Sequence, residues 1–264
     1  MKAKVNDLYS LKYYHASLSD EDLRSVKDSI DLDAKLMNSQ TEEGWLEKCS
    51  TSFSIFLGDG DFKNHTGNTV IDALQWVLKN IPEPVWDLPF HPYDKRMILV
   101  TGHRRENFGE GFQNICNAIK TLAVKNPNVD FVYPVHLNPN VQKPVTTLLA
   151  NQGNIHLIEP LDYQKFVHFM NRSYFILTDS GGVQEEAPSI GKPVLVMRNT
   201  TERPEAVEAG TVMLVGTDEN DIVNNSQKLI DNNTHYESMS FSHNPYGDGT
   251  ASEKITNLFQ KSLI

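Results

Sequence analysis

Cysteine is almost missing from this chain of 264 residues, which carries only Cys49 and Cys116. Two thiols so far apart make neither a disulfide framework nor a zinc site, and both read as ordinary thiols of a reducing compartment. Long apolar runs are missing too. The longest, such as residues 97–100 and 174–177, are strand-sized and fall far short of the ~20 residues that cross a bilayer, so a membrane span is excluded. The positively charged start, Met1-Lys2-Ala3-Lys4-Val5-Asn6-Asp7, is followed by no apolar segment or small-residue cleavage site; no secretory signal is readable and a cytoplasmic location is expected. Positive charge is in deficit, with 24 Lys and Arg against 34 Asp and Glu and a net charge of −10. The basic residues are scattered, so no nucleic-acid binding is expected, although one phosphate-bearing ligand needs only a local positive site. What remains, 39% hydrophobic and 22% charged residues, is a globular chain able to bury a sizeable core.

From residue 97 onward, short apolar runs alternate with amphipathic ones. The strand-like runs are 97–100, 131–135, 155–158, 174–177, 193–197 and 212–215. Between them, apolar residues recur at helical spacing, as in Phe112, Ile115, Cys116, Ile119, Leu122 and Ala123. Runs that are apolar throughout are buried on both faces. The pattern therefore predicts an α/β fold, a Rossmann-like doubly wound parallel sheet with helices on both sides. Ligands of such sheets sit at the carboxyl ends of the strands. Three polar segments fall there: Gly102-His103-Arg104-Arg105-Glu106-Asn107, His136-Leu137-Asn138-Pro139-Asn140 and Thr178-Asp179-Ser180-Gly181-Gly182. Any one alone is as readily an ordinary loop; three on one rim indicate a site.

Residues 1–63 read differently, as a short, mainly helical amino-terminal segment. Ser19-Asp20-Glu21-Asp22 followed by Leu23, Val26 and Ile30 predicts a capped, charged helix. Ser52-Phe53-Ser54-Ile55-Phe56-Leu57 predicts one strand, ended by Gly58-Asp59-Gly60. Residues 64–96 comprise a connecting helix, with Val70, Ile71, Ala73, Leu74, Val77 and Leu78 on its apolar face, and a stiff linker marked by Pro82, Pro84, Pro89 and Pro92. Residues 97–264 form the sheet domain and a last helix.

Ser180-Gly181-Gly182 admits two accounts. One is a phosphate cradle of unhindered backbone N–H groups at a positive helix end. The other is a tight turn that needs glycine for positive φ. Glu185 and Glu186 follow one turn later. One suits vicinal ribose hydroxyls, and the other, pointing elsewhere on the helix, merely complements its dipole. His103, Arg104 and Arg105 supply an imidazole and two guanidinium forks suited to a diphosphate, with one arginine expected to pair with Glu106. His136 lies in the same layer, either in the site or as a partly buried histidine bonded to a neighbouring loop. Gly109-Glu110-Gly111 lacks the third glycine of a dinucleotide fingerprint, and Gly191-Lys192 runs into Pro193, so neither makes a nucleotide loop and ATP hydrolysis is not favoured. His65, His91, His168 and His235 show no metal-ligand spacing, and no metal is expected.

Read together, the segments resemble the non-hydrolysing bacterial UDP-N-acetylglucosamine 2-epimerases. The resemblance is carried by Thr66-Gly67-Asn68-Thr69-Val70-Ile71-Asp72-Ala73-Leu74, Thr101-Gly102-His103-Arg104-Arg105-Glu106-Asn107-Phe108-Gly109, Tyr133-Pro134-Val135-His136-Leu137-Asn138-Pro139-Asn140-Val141, Thr178-Asp179-Ser180-Gly181-Gly182-Val183-Gln184-Glu185-Glu186-Ala187-Pro188, Thr201-Glu202-Arg203-Pro204-Glu205-Ala206 and His243-Asn244-Pro245-Tyr246-Gly247-Asp248-Gly249. It implies an isomerase of glycosyltransferase-B architecture, with no cofactor, that interconverts UDP-N-acetylglucosamine and UDP-N-acetylmannosamine. The reaction so implied removes the proton at carbon 2, expels UDP to leave a glycal, and adds UDP back with a proton on the opposite face. On matching positions, Ser180, Gly181 and Gly182 hold the diphosphate, Glu186 the ribose and Phe166 the uracil, while Arg203 lines the pocket. His103 is the catalytic residue at the departing diphosphate, and Arg105 and His136 match a region that contacts a second nucleotide-sugar.

The resemblance covers only the UDP-binding half. The first Rossmann domain, with its carboxylates that act on carbon 2, finds no counterpart in residues 1–63, where Asp20, Glu21, Asp22, Asp59 and Asp61 are the acids available to stand in. The expectation is therefore a protein that binds UDP or a UDP-N-acetylhexosamine with weak or no turnover. Two alternatives stand beside an active epimerase: a non-catalytic regulator or partner of a complete epimerase, and a recombined chain without selected activity. Ile255, Leu258 and Phe259 of the last helix need an apolar surface, expected from the helix at 23–30 or, failing that, from homo-oligomerisation or association with a complete epimerase.

Overall fold

The computed structural model describes residues 66–86, 88, 90, 92 and 94–262, with side chains through 257. The expected helix at 19–30, the strand at 52–57 and the candidate acids before residue 62 lie outside the described residues, as do Cys49, His65, His91 and the side chains of Leu258 and Phe259.

All six expected strands form, and they make one sheet in the order β3-β2-β1-β4-β5-β6, every neighbouring pair parallel. They are β1 (Arg96–Thr101), β2 (Val129–Pro134), β3 (Ile155–Ile158), β4 (Phe175–Thr178), β5 (Val194–Val196) and β6 (Val212–Leu214). The helices are α1 (Thr69–Asn80), α2 (Glu110–Lys125), α3 (Pro139–Leu149), α4 (Tyr163–Arg172), α5 (Gly181–Glu186), α6 (Pro204–Glu208), α7 (Glu219–Asp231), α8 (Asn233–Ser240) and α9 (Ala251–Ser262).

The continuous apolar strands are explained by a core on each face. Successive strand residues point to opposite sides. Ile98 and Val100 join Phe112, Ile119, Val141, Ile222 and Leu229 from α2, α3 and α7, whereas Met97 and Leu99 join Ile71, Leu74, Val167, Met170 and Val183 from α1, α4 and α5. Cys116 is buried in the first layer, and burial pushes its thiol up to about 12, which makes it inert at neutral pH. Among the described residues no helix is long and apolar enough to cross a membrane.

The proline-rich linker packs against the sheet domain: Trp86 packs edge-on against Phe169 at 4.4 Å between ring centroids, Phe90 stacks on His156 at 3.8 Å, and Arg172 bonds Glu83 at 3.2 Å. The last helix starts on α1. Asp72 accepts the Ala251 and Ser252 N–H groups at 3.2 and 2.7 Å, satisfying orphan donors of the first turn of α9, and Ala251 is buried there. Just before α1 and shortly before α9, Gly67 (φ +96°) and Gly247 (φ +126°) face each other. A Cβ on Gly67 would stand 3.3 Å from the Tyr246 carbonyl oxygen, so glycine is needed for the backbones to meet.

Candidate functional site

The chain order reverses between β1 and β4, so the switch-point crevice of a doubly wound sheet opens at their carboxyl ends. Asp179, the first residue after β4, has no exposed surface. Its Oδ2 accepts the backbone N–H of His103 at 2.9 Å and of Arg104 at 2.8 Å, and Nδ2 of the buried Asn107 at 3.3 Å. Asn107 also donates to the Met197 carbonyl at 3.2 Å, which ties the loop after β1 to the end of β5. From the other side the Tyr133 hydroxyl donates to the Gly102 carbonyl at 2.8 Å. A Cβ on Gly102 would stand 3.0 Å from that hydroxyl, so glycine permits the contact.

The turn after β4 decides between the two accounts of Ser180-Gly181-Gly182. Neither glycine has positive φ, whereas Gly67, Gly109, Gly191, Gly210, Gly216, Gly247 and Gly249 do. The turn therefore does not need glycine for its backbone angles, and that account is overturned. What the glycines leave is open space: a Cβ on Gly182 would meet nothing nearer than the Ser180 hydroxyl at 4.0 Å. Ser180 N–H is taken by the Thr178 hydroxyl at 2.9 Å, and the Ser180 side chain makes no capping bond. Among the described residues no hydrogen bond uses the N–H of Gly181 or Gly182, which open α5 and have no intrahelical acceptor. Two donors and a hydroxyl thus face the crevice beside Arg104, whose Nη2 lies 3.5 Å from where a Gly181 Cβ would be.

His103 and His136 are brought together, their rings stacked at 5.0 Å between centroids. Arg105 opens a short 3-10 turn and is exposed. The expected pairing of Glu106 with a neighbouring arginine is corrected: Glu106 accepts from Nε of Arg198, 92 positions away, at 2.5 Å. Arg198 is buried and forks onto Glu202 at 2.6 and 2.9 Å, which holds the Glu202 carboxyl down to about 2. Glu202 in turn lies 3.7 Å from Arg104. The loops after β1 and β5 meet at the carboxyl end of the sheet, over the intervening β4, and there Arg198 takes Glu106 from the expected partner.

The two adjacent glutamates point to different partners, but neither complements the helix dipole as expected, because both fall in the last turn of α5. Glu185 holds the scaffold, accepting from Arg203 Nε and, at 2.5 Å, from Asn68 Nδ2. Arg203 is thereby fixed beside α5. Glu186 is 7% exposed and accepts the Tyr163 hydroxyl at 3.3 Å. Phe166, half-buried, follows Tyr163 by three positions and lies on the same face of α4. Burial raises the Glu186 carboxyl from 4.5 to about 7, with Glu185 adding to the rise and Tyr163 opposing it. Its folded value exceeds its unfolded one. Any stability it supplies is therefore complete below about pH 4.5 and is lost as pH climbs through about 7. Glu186→Gln should thus be more stable than the parent at pH 8, by about 3 kcal/mol, and close to it at pH 4. Urea melts at the two pH values check this.

The structure therefore gathers His103, His136, Ser180, Gly181 and Gly182 at one crevice, with Glu186, Phe166 and Arg203 beside it on α4, α5 and the start of α6. Asp179 and Arg198 carry the arrangement together with the expected Arg104, and neither of the two is given a role by the sequence. Only an isolated acid directly after a buried strand hinted at Asp179. Among the described residues no group of three His, Cys, Asp or Glu side chains is placed to hold a metal ion.

A parallel sheet wound in this order, with its polar rim at the switch point, defines a Rossmann-like domain of the kind that forms one half of a glycosyltransferase-B fold. Comparison with known proteins names the family. The sequence model of the UDP-N-acetylglucosamine 2-epimerases matches residues 64–260, and the chain belongs to that family. The UDP-N-acetylglucosamine 2-epimerase of Campylobacter jejuni is 59% identical over 206 residues, 74% of this chain and 54% of that protein. The crystal structure of the Neisseria meningitidis epimerase bound to UDP-GlcNAc superposes with a TM-score of 0.70 at 51% identity, covering 75% of this chain and 55% of the other. That of the Methanocaldococcus jannaschii enzyme in complex with UDP-GlcNAc and UDP gives 0.61 at 29% identity, over 75% and 54%. The chain spans about half the length of the curated relatives it matches.

Proposed function

We propose that residues 97–264 bind the UDP moiety of a UDP-N-acetylhexosamine at the β1/β4 crevice, and that the chain by itself turns the sugar over weakly or not at all. The observation that carries the first part is the pair of N–H groups at Gly181 and Gly182, without an acceptor among the described residues, beside Arg104 and His103, in a family whose solved relatives hold UDP-GlcNAc. Those donors suit the diphosphate, Glu186 the ribose, and Phe166 with Arg203 the base side of the pocket. His103 stands where the diphosphate would leave. Removal of the carbon 2 proton requires a base within hydrogen-bond reach of it. The carboxylates described at this rim are engaged in the scaffold, Asp179 with two backbone N–H groups and Glu202 with Arg198, which supports binding ahead of turnover.

Calorimetric titration of the full chain with UDP, run beside deuterium incorporation at carbon 2 of UDP-N-acetylglucosamine in heavy water, tests both parts. Saturable UDP binding with little incorporation is expected. Absence of UDP binding overturns the assignment of the crevice, and rapid incorporation with appearance of the manno epimer overturns the weak-turnover part.

A further inference from the structure

We propose that Asp179 is a positioning residue for this site, a role that rests on the UDP-binding reading. The carboxylate sits at the joint between two pieces of the crevice. Its own N–H continues the β1/β4 ladder by donating to the Thr101 carbonyl at 3.2 Å, and the next residue, Ser180, begins the anion-facing turn. Its oxygens take the N–H groups of His103 and Arg104, and Oδ1 lies 3.9 Å from the His103 ring Nδ1. One buried group therefore fixes where the imidazole and the guanidinium leave the backbone, relative to the turn that follows it. His103 and Arg104 are themselves open to solvent, with side chains 43% and 36% exposed, so packing alone does not hold them.

Electrostatics and positioning make opposite predictions. A carboxylate a few ångströms from a diphosphate repels it, so by charge alone neutralising Asp179 would tighten UDP binding. A positioning role predicts the reverse. Asparagine can offer one oxygen to the two N–H groups, but its NH2 would replace Oδ1, which now shares the His103 N–H at 3.2 Å and faces the His103 ring Nδ1 at 3.9 Å, so the loop loses part of its anchor. Asp179→Asn should weaken UDP by about tenfold or more, a change of ~1.4 kcal/mol.

The test begins with hydrogen exchange on the isotopically labelled wild-type chain, where the His103 and Arg104 amides should be protected well beyond that of Arg105. Amides of 103 and 104 that exchange as fast as that of 105 overturn the proposal without any variant or ligand. Titration of Asp179→Asn with UDP follows, with Leu229→Ala, whose carbonyl meets Tyr174 at the amino-terminal end of β4 and so lies away from the crevice, as a control for general destabilisation. Weaker UDP binding in Asp179→Asn, loss of the UDP-induced shift of the His103 ring signals, and unchanged affinity in Leu229→Ala support positioning. Equal or tighter UDP binding in Asp179→Asn overturns it. Failure of the wild type to bind UDP strikes the binding assignment instead, and amide protection then decides whether Asp179 sets the His103-Arg104 geometry.

Discussion

Gly181→Asp should abolish UDP binding while leaving the fold intact, with affinity falling by about 100-fold or more, equivalent to ~2.8 kcal/mol. A Cβ at this position meets only Arg104 Nη2, at the ordinary contact distance of 3.5 Å, and the backbone has no positive φ to strain. A carboxylate in the first turn of α5 also suits the helix dipole. The variant should therefore melt at or slightly above the parental temperature. The same carboxylate occupies the two open N–H groups, pairs with Arg104 and repels a diphosphate, so the features that stabilise the fold remove the ligand. Gly181→Ala separates bulk from charge and should cost far less affinity. Calorimetry with UDP beside thermal melts checks the pair. Retained affinity in Gly181→Asp would move the diphosphate away from the β4 turn.

The legibility of this site follows from the range of its interactions. Strand-by-strand the sheet was readable, because burial on both faces forces uninterrupted apolar runs such as 97–100, and the crevice follows from strand order. Side-chain partners were not. Glu106 was expected to pair within its own loop, yet its partner lies 92 positions on. Asp179 gathers donors 72 to 76 positions earlier, which no local pattern encodes. Helix α8 was unmarked because only Met239 of its eight residues is buried, leaving no apolar stripe. The positive-φ account of Gly181 and Gly182 failed because glycine at a strand-to-helix turn has two physical uses, backbone freedom and vacancy, and sequence cannot distinguish them.

Arg198→Ala should destabilise the domain by about 2–3 kcal/mol, seen as a melting temperature lower by roughly 5–10 °C. Arg198 is the buried centre of the network, with its side chain 3% exposed, and it binds Glu106 from the β1 loop and Glu202 from the β5 loop. Truncation opens a cavity and leaves two carboxylates facing each other. The full penalty of a stranded buried charge does not apply, because Glu106 and Glu202 are 49% and 50% exposed and can rehydrate. That places the cost below the range for a fully buried pair. Arg198→Lys restores charge without the planar fork that takes both Glu202 oxygens, so it should recover only part of the loss. UDP affinity should fall as well. Glu202, freed from Arg198, keeps its 3.7 Å neighbour Arg104 as the remaining cation and so competes more strongly with a diphosphate for it. A melting temperature equal to the parent's would show that the loops after β1 and β5 stay joined without Arg198, through bonds such as that of Asn107 to Met197. A lowered melting temperature with unchanged UDP affinity would confine the network to stability and leave Arg104 outside the anion site.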